Sequence, residues 1–251
     1  MDIRIKYFIM AAAAMLGLAS CAYKDNYEGP NANFHGRLLH YRTGEPVYSE
    51  QPEGFQIRFI ELSWGDNVTS QNFWGKYDGS FNWDYLFGYE GPKFEDSPYQ
   101  KATYSVEPYD GAFIVDGDPK EKIIEVGPGE SAEVDFEVIP YISINDMSYS
   151  LNGNNLEVKF KMVREAYPDR NIDMAGVIVS SQTQYLSYIN AGGYEGKYSN
   201  LRGYTGGYTD GTEETLYVTL DPGKTYWMRV GARLEGQTRW NFTEIVEIRV
   251  P

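Results

Sequence analysis

The chain of 251 residues contains one cysteine, two histidines and a shortage of cations, 22 Lys and Arg against 36 Asp and Glu. Each scarcity excludes something. A lone Cys21 forbids an internal disulfide. His35 and His40 stand five apart on a run that reads as one strand. Odd spacing sends their side chains to opposite faces, so the pair cannot jointly hold a metal. A formal net charge of -14 argues against nucleic acid and against electrostatic adhesion to anionic lipid headgroups. Gly-x-Ser-x-Gly, His-Glu-x-x-His and a phosphate-cradling glycine loop are also absent. Acidic residues are so numerous that a pair at glycosidase spacing arises by chance and carries no weight. No catalytic residue, cofactor or metal is expected, and a hydrolase is only the minor third class of function.

Long hydrophobic runs are missing too, apart from residues 7–19, which follow the basic Arg4 and Lys6. That run is long enough for the apolar part of a signal peptide and short of the ~20 residues that cross a bilayer. It ends in Leu18-Ala19-Ser20-Cys21, which resembles a bacterial lipobox, where a small residue admits the peptidase and the thiol receives the lipid. Residues 1–20 therefore read as a signal peptide, and Cys21 as the lipid-bearing first residue of the mature chain. Lipidation leaves no thiol for catalysis or metal binding. Loss of Arg4, Lys6 and Asp2 brings the charge to about -15, so the membrane is held by the lipid anchor alone. Residues 21–33 form a tether. Its polar, acidic Lys24-Asp25-Asn26-Tyr27-Glu28 fits either a tag for export to the cell exterior or a plain soluble tether.

What is abundant points to β-structure. Aromatics make up 16%, with 22 Tyr, and Gly and Pro punctuate short alternating runs. No helical period extends over eleven residues after Ala19, and no solenoid repeat is present. Strands are predicted at 34–41, 56–62, 101–108, 122–126 and 132–138, the last alternating without a fault. Pro140 ends that strand or sits at its edge, and a boundary is placed near residue 139. Further strands are predicted at 141–147, 156–162, 175–180, 215–220, 225–232 and 244–250, the first two joined as a hairpin through Asn152-Gly153-Asn154. Leu220-Asp221-Pro222-Gly223-Lys224-Thr225-Tyr226 resembles a tyrosine corner, in which the hydroxyl bonds back to upstream backbone. The expected fold is all-β, two tandem β-sandwiches over 34–139 and 140–251.

Several blocks resemble one lipoprotein family. They are Asp25-Asn26-Tyr27-Glu28-Gly29-Pro30, Thr43-Gly44-Glu45-Pro46-Val47, Tyr77-Asp78-Gly79-Ser80-Phe81, Pro108-Tyr109-Asp110-Gly111-Ala112-Phe113 and Phe136-Glu137-Val138-Ile139-Pro140-Tyr141. Gly223-Lys224-Thr225-Tyr226-Trp227-Met228-Arg229-Val230-Gly231-Ala232-Arg233 and Trp240-Asn241-Phe242-Thr243-Glu244 complete the set. Together they span the mature chain and resemble the domain-of-unknown-function 3823 (DUF3823) lipoproteins of gut Bacteroidetes. Trp240 departs from the tyrosine expected there, which alters a packing position. The resemblance implies a transthyretin-like (carboxypeptidase-regulatory-like) sandwich followed by a fibronectin type III-like one. It also implies an outer-membrane setting, facing the cell exterior, beside a glycan importer of the starch-utilisation type and its substrate-capture lipoprotein. It carries over no catalytic residues.

Sugar rings lay their C–H faces on aromatic rings while their hydroxyls bond Asn, Asp, Gln and Arg. Two segments have that composition. Residues 64–89 hold Trp64, Trp74, Trp83 and Tyr85 among Asp66, Asn67, Asn72, Asn82 and Asp84. Residues 182–211 hold six tyrosines, with Tyr204 and Tyr208 flanked by glycines, inside a connection long enough to be functional or disordered. Most of these rings are equally suited to a strand core. The sequence leaves two readings open: a non-catalytic accessory that binds polysaccharide or oligosaccharide weakly, and an assembly subunit that contacts the importer complex without touching sugar.

The anchor is testable directly. Cys21→Ala is expected to abolish lipid labelling and to move the protein out of the membrane fraction. A variant that keeps label and membrane association refutes the lipobox assignment.

Overall fold

A computed structural model describes residues 29–65, 68–188 and 198–251. Cys21 and the signal peptide lie outside them. The elements that lie wholly within the described residues are β-strands and one 3-10 turn at Leu62–Trp64, and the fold class expected from the alternating runs is the one found. The strands are β1 (Ala32–His40), β2 (Gln56–Glu61), β3 (Gln71–Trp74), β4 (Ser80–Leu86), β5 (Ala102–Asp110), β6 (Phe113–Val115), β7 (Lys122–Val126), β8 (Ser131–Glu133) and β9 (Phe136–Pro140). There follow β10 (Ile142–Asn152), β11 (Asn155–Arg164), β12 (Ile172–Ser180), β13 (Asn200–Gly203), β14 (Glu213–Thr219), β15 (Thr225–Leu234), β16 (Asn241–Phe242) and β17 (Val246–Arg249).

Four sheets result. The order β4-β1-β9-β6, with β8 also on β1, faces β3-β2-β5-β7 across a core that runs from Ala32 to Val138. The order β10-β11-β14 faces β13-β12-β15-β16, with β17 also on β15, across a core from Ile142 to Val250. Alternation explains both. In β1, Ala32, Phe34, Gly36 and Leu38 point inward and His35 and Arg37 outward; in β11, Leu156, Val158, Phe160 and Met162 point inward. His35 and His40 accordingly leave β1 on opposite faces.

Three local readings are met and one is corrected. Asn152 pairs with Asn155, and of the two loop residues between them only Gly153 has positive φ, +61°, the pattern of a type II′ turn. Tyr226 is fully buried and its hydroxyl accepts the Asp221 N–H at 2.9 Å, closing the tyrosine corner. Pro140 is the last residue of β9. The run 132–138 is not one strand, however. The Asp135 carboxylate accepts the Arg37 N–H at 2.8 Å where a backbone carbonyl would otherwise serve. The run splits there into β8 and β9, each pairing with β1 in parallel. Strands β3, β4, β6, β13 and β16 had no counterpart among the expected elements; they are short or dense in aromatic, amide and glycine residues.

The two cores meet in a polar joint. Asn241, buried, accepts the Ile142 N–H through Oδ1 and donates through Nδ2 to Ala112 O, both at 2.9 Å. Arg229 of β15, also buried, donates to Ser49 O at 2.8 Å and to Leu186 O, with its guanidinium 3.7 Å from the centre of the Phe242 ring. Phe242 lies so close over Gly231 that a β-carbon there would collide with the ring. Residues Asn31–Pro251 form one compact unit.

Removing the Tyr226 hydroxyl takes away the bond it makes to the Asp221 N–H. Tyr226→Phe is expected to lower stability by about 1–3 kcal/mol, read from the denaturant midpoint. An unchanged midpoint removes the corner from the stabilising interactions.

Candidate functional site

The solvent face of the β3-β2-β5-β7 sheet concentrates groups suited to a ligand. Inward residues of β2 and β5 are Ile57, Phe59, Tyr104 and Val106, which leaves Gln56, Arg58, Ser105 and Glu107 outward. Trp74 lies opposite Gln56, and Asn72 opposite Arg58. Between Gln56–Asp110 and Ile57–Pro108 the ladder bulges, and Tyr109 is the extra residue. Trp74 is 39% exposed and Tyr109 52%. They are two strands apart, about 10 Å at the ordinary strand spacing, with the amides of Gln56 and Asn72 and the guanidinium of Arg58 between.

Each ring is held by an arginine that is itself held. The Arg58 guanidinium lies 4.5 Å from the Tyr109 ring centre, with Nε 2.7 Å from Glu107 Oε1. Arg239 lies 5.0 Å from the Trp74 ring, and its Nη2 donates to Asp110 Oδ2 at 2.6 Å. It also donates to Glu53 O at 2.5 Å. Arg239 comes from the turn before β16, across the joint, so the second sandwich completes a surface of the first. The two cations are matched by two carboxylates, and the face is close to neutral on an acidic protein.

Behind this face the joint continues as a stack. Tyr188 lies parallel to Trp240 at 4.9 Å, Trp240 to Phe242 at 6.1 Å, and the Arg229 guanidinium caps Phe242. Trp240 is buried as a packing residue. Glu50 faces the stack and accepts the Tyr188 N–H at 2.8 Å. Burial raises its pKa, against the opposing pull of that N–H and of Arg229, Arg239 and Arg233. Burial lowers Arg229 to about 9, against the field of Glu50 and Tyr77, so it stays charged at neutral pH. Arg233 is held by Asp173, with Nη2 to Oδ2 at 2.7 Å.

The residues singled out in the sequence scatter. Trp74 lies in the face just described. Trp64 follows the far end of β2, and six strand residues, about 17 Å, separate the two ends, so Trp64 and Trp74 do not form one platform. Trp83 is only partly open and packs on the first core, 5.0 Å from Phe73 and 5.6 Å from Phe59. Tyr85 is exposed, edge-on to Trp83 at 5.6 Å. Tyr204 and Tyr208 are corrected to packing positions. Tyr208 is 8% exposed, its hydroxyl accepting Met162 N–H at 3.1 Å and donating to Thr212 O. Tyr204 packs against the second core, edge-on to Tyr208 at 5.5 Å. Glycine flanks did not open them, because β13 and the turn after it fold back over the sandwich. Residues 189–197, Asp66 and Asn67 lie outside the described residues. Tyr109, Arg58 and Arg239 were missed. The alternation Ser105, Glu107, Tyr109 continuing past Pro108 was the available signal for the first; nothing local signalled the Arg239 contact.

A second concavity, a groove of about 370 Å³, runs along the joint between residues 40–48 and β10 and β16. Four of its polar groups pair with one another, His40 Nε2 with Ser143 Oγ at 3.1 Å and Tyr48 Oη with Glu244 Oε2 at 3.4 Å. Among the described residues no cluster of three His, Cys, Asp or Glu side chains is placed to hold a metal ion.

No family model matches the chain, and neither does any curated protein. Solved structures do. One is a candidate carbohydrate binding protein from Bacteroides uniformis ATCC 8492, 21% identical, with TM-score 0.67 over 88% of this chain and 100% of that one. A DUF3823 family protein from the same organism matches at 20% identity and TM-score 0.66, over 89% and 100%. Another, from Parabacteroides merdae ATCC 43184, matches at 18% and 0.65, over 88% and 100%. The chain thus has the fold of DUF3823 family proteins, the family its sequence blocks resemble.

Glu50 gives the joint a pH signature. Its folded pKa lies above the unfolded value, so between the two the folded protein holds a proton that the unfolded chain has released. In that window stability falls as pH rises. Glu50→Gln is expected to flatten this part of the stability–pH curve. Parallel curves for the two proteins by thermal denaturation would contradict it.

Proposed function

We propose that the protein is a non-catalytic, lipid-anchored accessory of a glycan-uptake system, binding polysaccharide on the outer face of β3-β2-β5-β7. The observation that carries this reading is the pairing of two exposed rings, Trp74 and Tyr109, on one sheet face, each backed by an ion-paired arginine. A guanidinium behind a ring fixes its orientation before the ligand arrives, which lowers the entropic cost of binding. A pyranose then lies on each ring, and Gln56, Asn72 and the free edges of Arg58 and Asp110 meet its hydroxyls. The near-neutral charge of the face suits a neutral glycan, and the ring spacing suits a chain of several sugars. The fold shared with a candidate carbohydrate binding protein is consistent with this reading, as are the lipobox at Cys21 and the resemblance to importer-associated lipoproteins. On that reading the protein is carried on the outer membrane, towards the cell exterior.

An open sheet face desolvates little polar surface, so a Kd of ~0.1–1 mM is expected, about -4 to -5.5 kcal/mol. Loss of one ring should cost ~1–2 kcal/mol, by analogy with aromatic stacking on nucleobases, or about 5- to 30-fold in Kd. The measurement is retardation of the soluble protein in gels containing neutral and anionic polysaccharides, beside Trp74→Ala, Tyr109→Ala and Tyr208→Ala. The first two are expected to lose retardation. Tyr208→Ala is expected to lose stability instead. If no polysaccharide retards the wild type, or if the folded Trp74 and Tyr109 variants are retarded equally, glycan binding at this face is wrong. Contact with the importer complex then becomes the function to test.

A further inference from the structure

The far end of β2 carries a second aromatic surface of different character. Trp64 is 49% exposed, Phe94, next to Lys93 in the chain, 44%, and Tyr85, which precedes the Leu86 that accepts the Asn31 N–H, is open. Lys93 Nζ lies 3.8 Å from the Tyr89 ring centre and 5.0 Å from that of Trp64. Hydrogen bonds draw these residues to one place. Tyr89 donates to Ser63 Oγ at 2.6 Å, and Tyr104, opposite Glu61 in the ladder, donates to Phe87 O at 2.9 Å. Asn31 is fastened at the same spot, its N–H on Leu86 O at 2.9 Å and its Oδ1 on the Gly88 N–H at 2.7 Å. The aromatic end of the first sandwich is therefore the end from which the chain leads back to Cys21. Nine residues lie between Cys21 and Asn31, and the ten steps from one to the other span at most ~35 Å when extended.

We propose that this end, presenting Trp64, Phe94, Tyr85 and Lys93, rests in the headgroup layer of the membrane that holds the Cys21 lipid. The inference rests on the reading that Cys21 is lipidated. Indole and phenol rings have an apolar body and a polar edge, which suits the boundary between acyl chains and water. Lys93 holds its ammonium against the Tyr89 and Trp64 rings, and its long flexible stem allows that charge to turn to phosphate level at a membrane surface. Glu90, Glu95 and Asp96 stand in the same stretch of sequence, so attraction to anionic lipid contributes little and a zwitterionic surface suffices. Such a contact is weak by itself. A tether of this length keeps the tip at high effective concentration beside the bilayer and makes it persistent. Among the described residues no helix is long and apolar enough to cross a membrane, so the contact is interfacial. It also orients the molecule: the Trp74–Tyr109 face, at the opposite end of β2, is lifted away from the lipid.

The test uses the lipidated full chain on phosphatidylcholine vesicles containing lipid brominated on the acyl chain near the headgroup. Bromine quenches only indoles within a few ångströms. Flotation is read first. Wild type that floats is expected to show bromolipid-dependent quenching that Trp64→Phe removes, Trp74→Phe leaves intact and Phe94→Ser weakens. Floating wild type without quenching, or quenching that survives in Trp64→Phe, overturns membrane docking of this end while leaving the anchor in place. Wild type that fails to float overturns the anchor, and the docking inference falls with it.

Discussion

A buried guanidinium is costly, and Arg229 is buried completely. Taking its charge out of water costs on the order of several kcal/mol, which only good geometry offsets. Two carbonyls from different parts of the chain, Ser49 O and Leu186 O, accept hydrogen bonds from its Nη1 and Nη2; the Phe242 ring covers one face, and Glu50 supplies a nearby negative field. None of these partners alone would suffice. Arg229 therefore selects one relation between the segment after β1 and the second sandwich, and alternatives that separate them leave a dry charge and two unmet acceptors. Asn241 applies the same constraint through neutral bonds, spending both ends of its amide on backbone groups from either side of the joint.

The candidate face depends on that constraint. Trp74 and Tyr109 belong to the first sandwich, but the arginine behind Trp74 belongs to the turn that precedes β16 in the second. A joint free to swing would separate Arg239 from Asp110 and Trp74. The stack from Tyr188 through Trp240 and Phe242 to Arg229 stiffens the same region and accounts for Trp240 and Phe242, which contribute to no open surface.

Aromatic residues serve three purposes here, and their number in the composition says nothing about which. Phe34, Phe59, Phe73 and Phe81 meet edge to face in the first core, with centroids 5.7–6.4 Å apart. Tyr198 and Tyr226 do the same in the second, their hydroxyls engaging Asp221. Of the rings that stay open, Trp74 and Tyr109 lie at one end of β2 and Trp64 at the other. One end, ringed by amides and ion pairs, has the make-up of a site for a polar ligand. The other, with Lys93 over bare rings beside the point where the chain enters, has the make-up of an interface with lipid.

Much of the fold was legible because strand alternation, an Asn-Gly turn and a tyrosine corner are local: each is decided by residues within ten positions of one another. Residues 34–40, 152–155 and 220–226 needed no knowledge of the rest of the chain. Strand 132–138 was misread because its break is made by the Asp135 side chain bonding a different strand. Tyr208 was misread because glycine neighbours describe backbone freedom, whereas exposure depends on what folds over the ring. Alternation says that two faces exist and that one is covered. Which aromatic residues remain open, and which arginine reaches them, is decided by contacts between residues far apart in the chain, such as Arg58 with Tyr109 and Arg239 with Asp110. No local pattern encodes a contact at that distance; packing of the two cores against a shared, buried charge does.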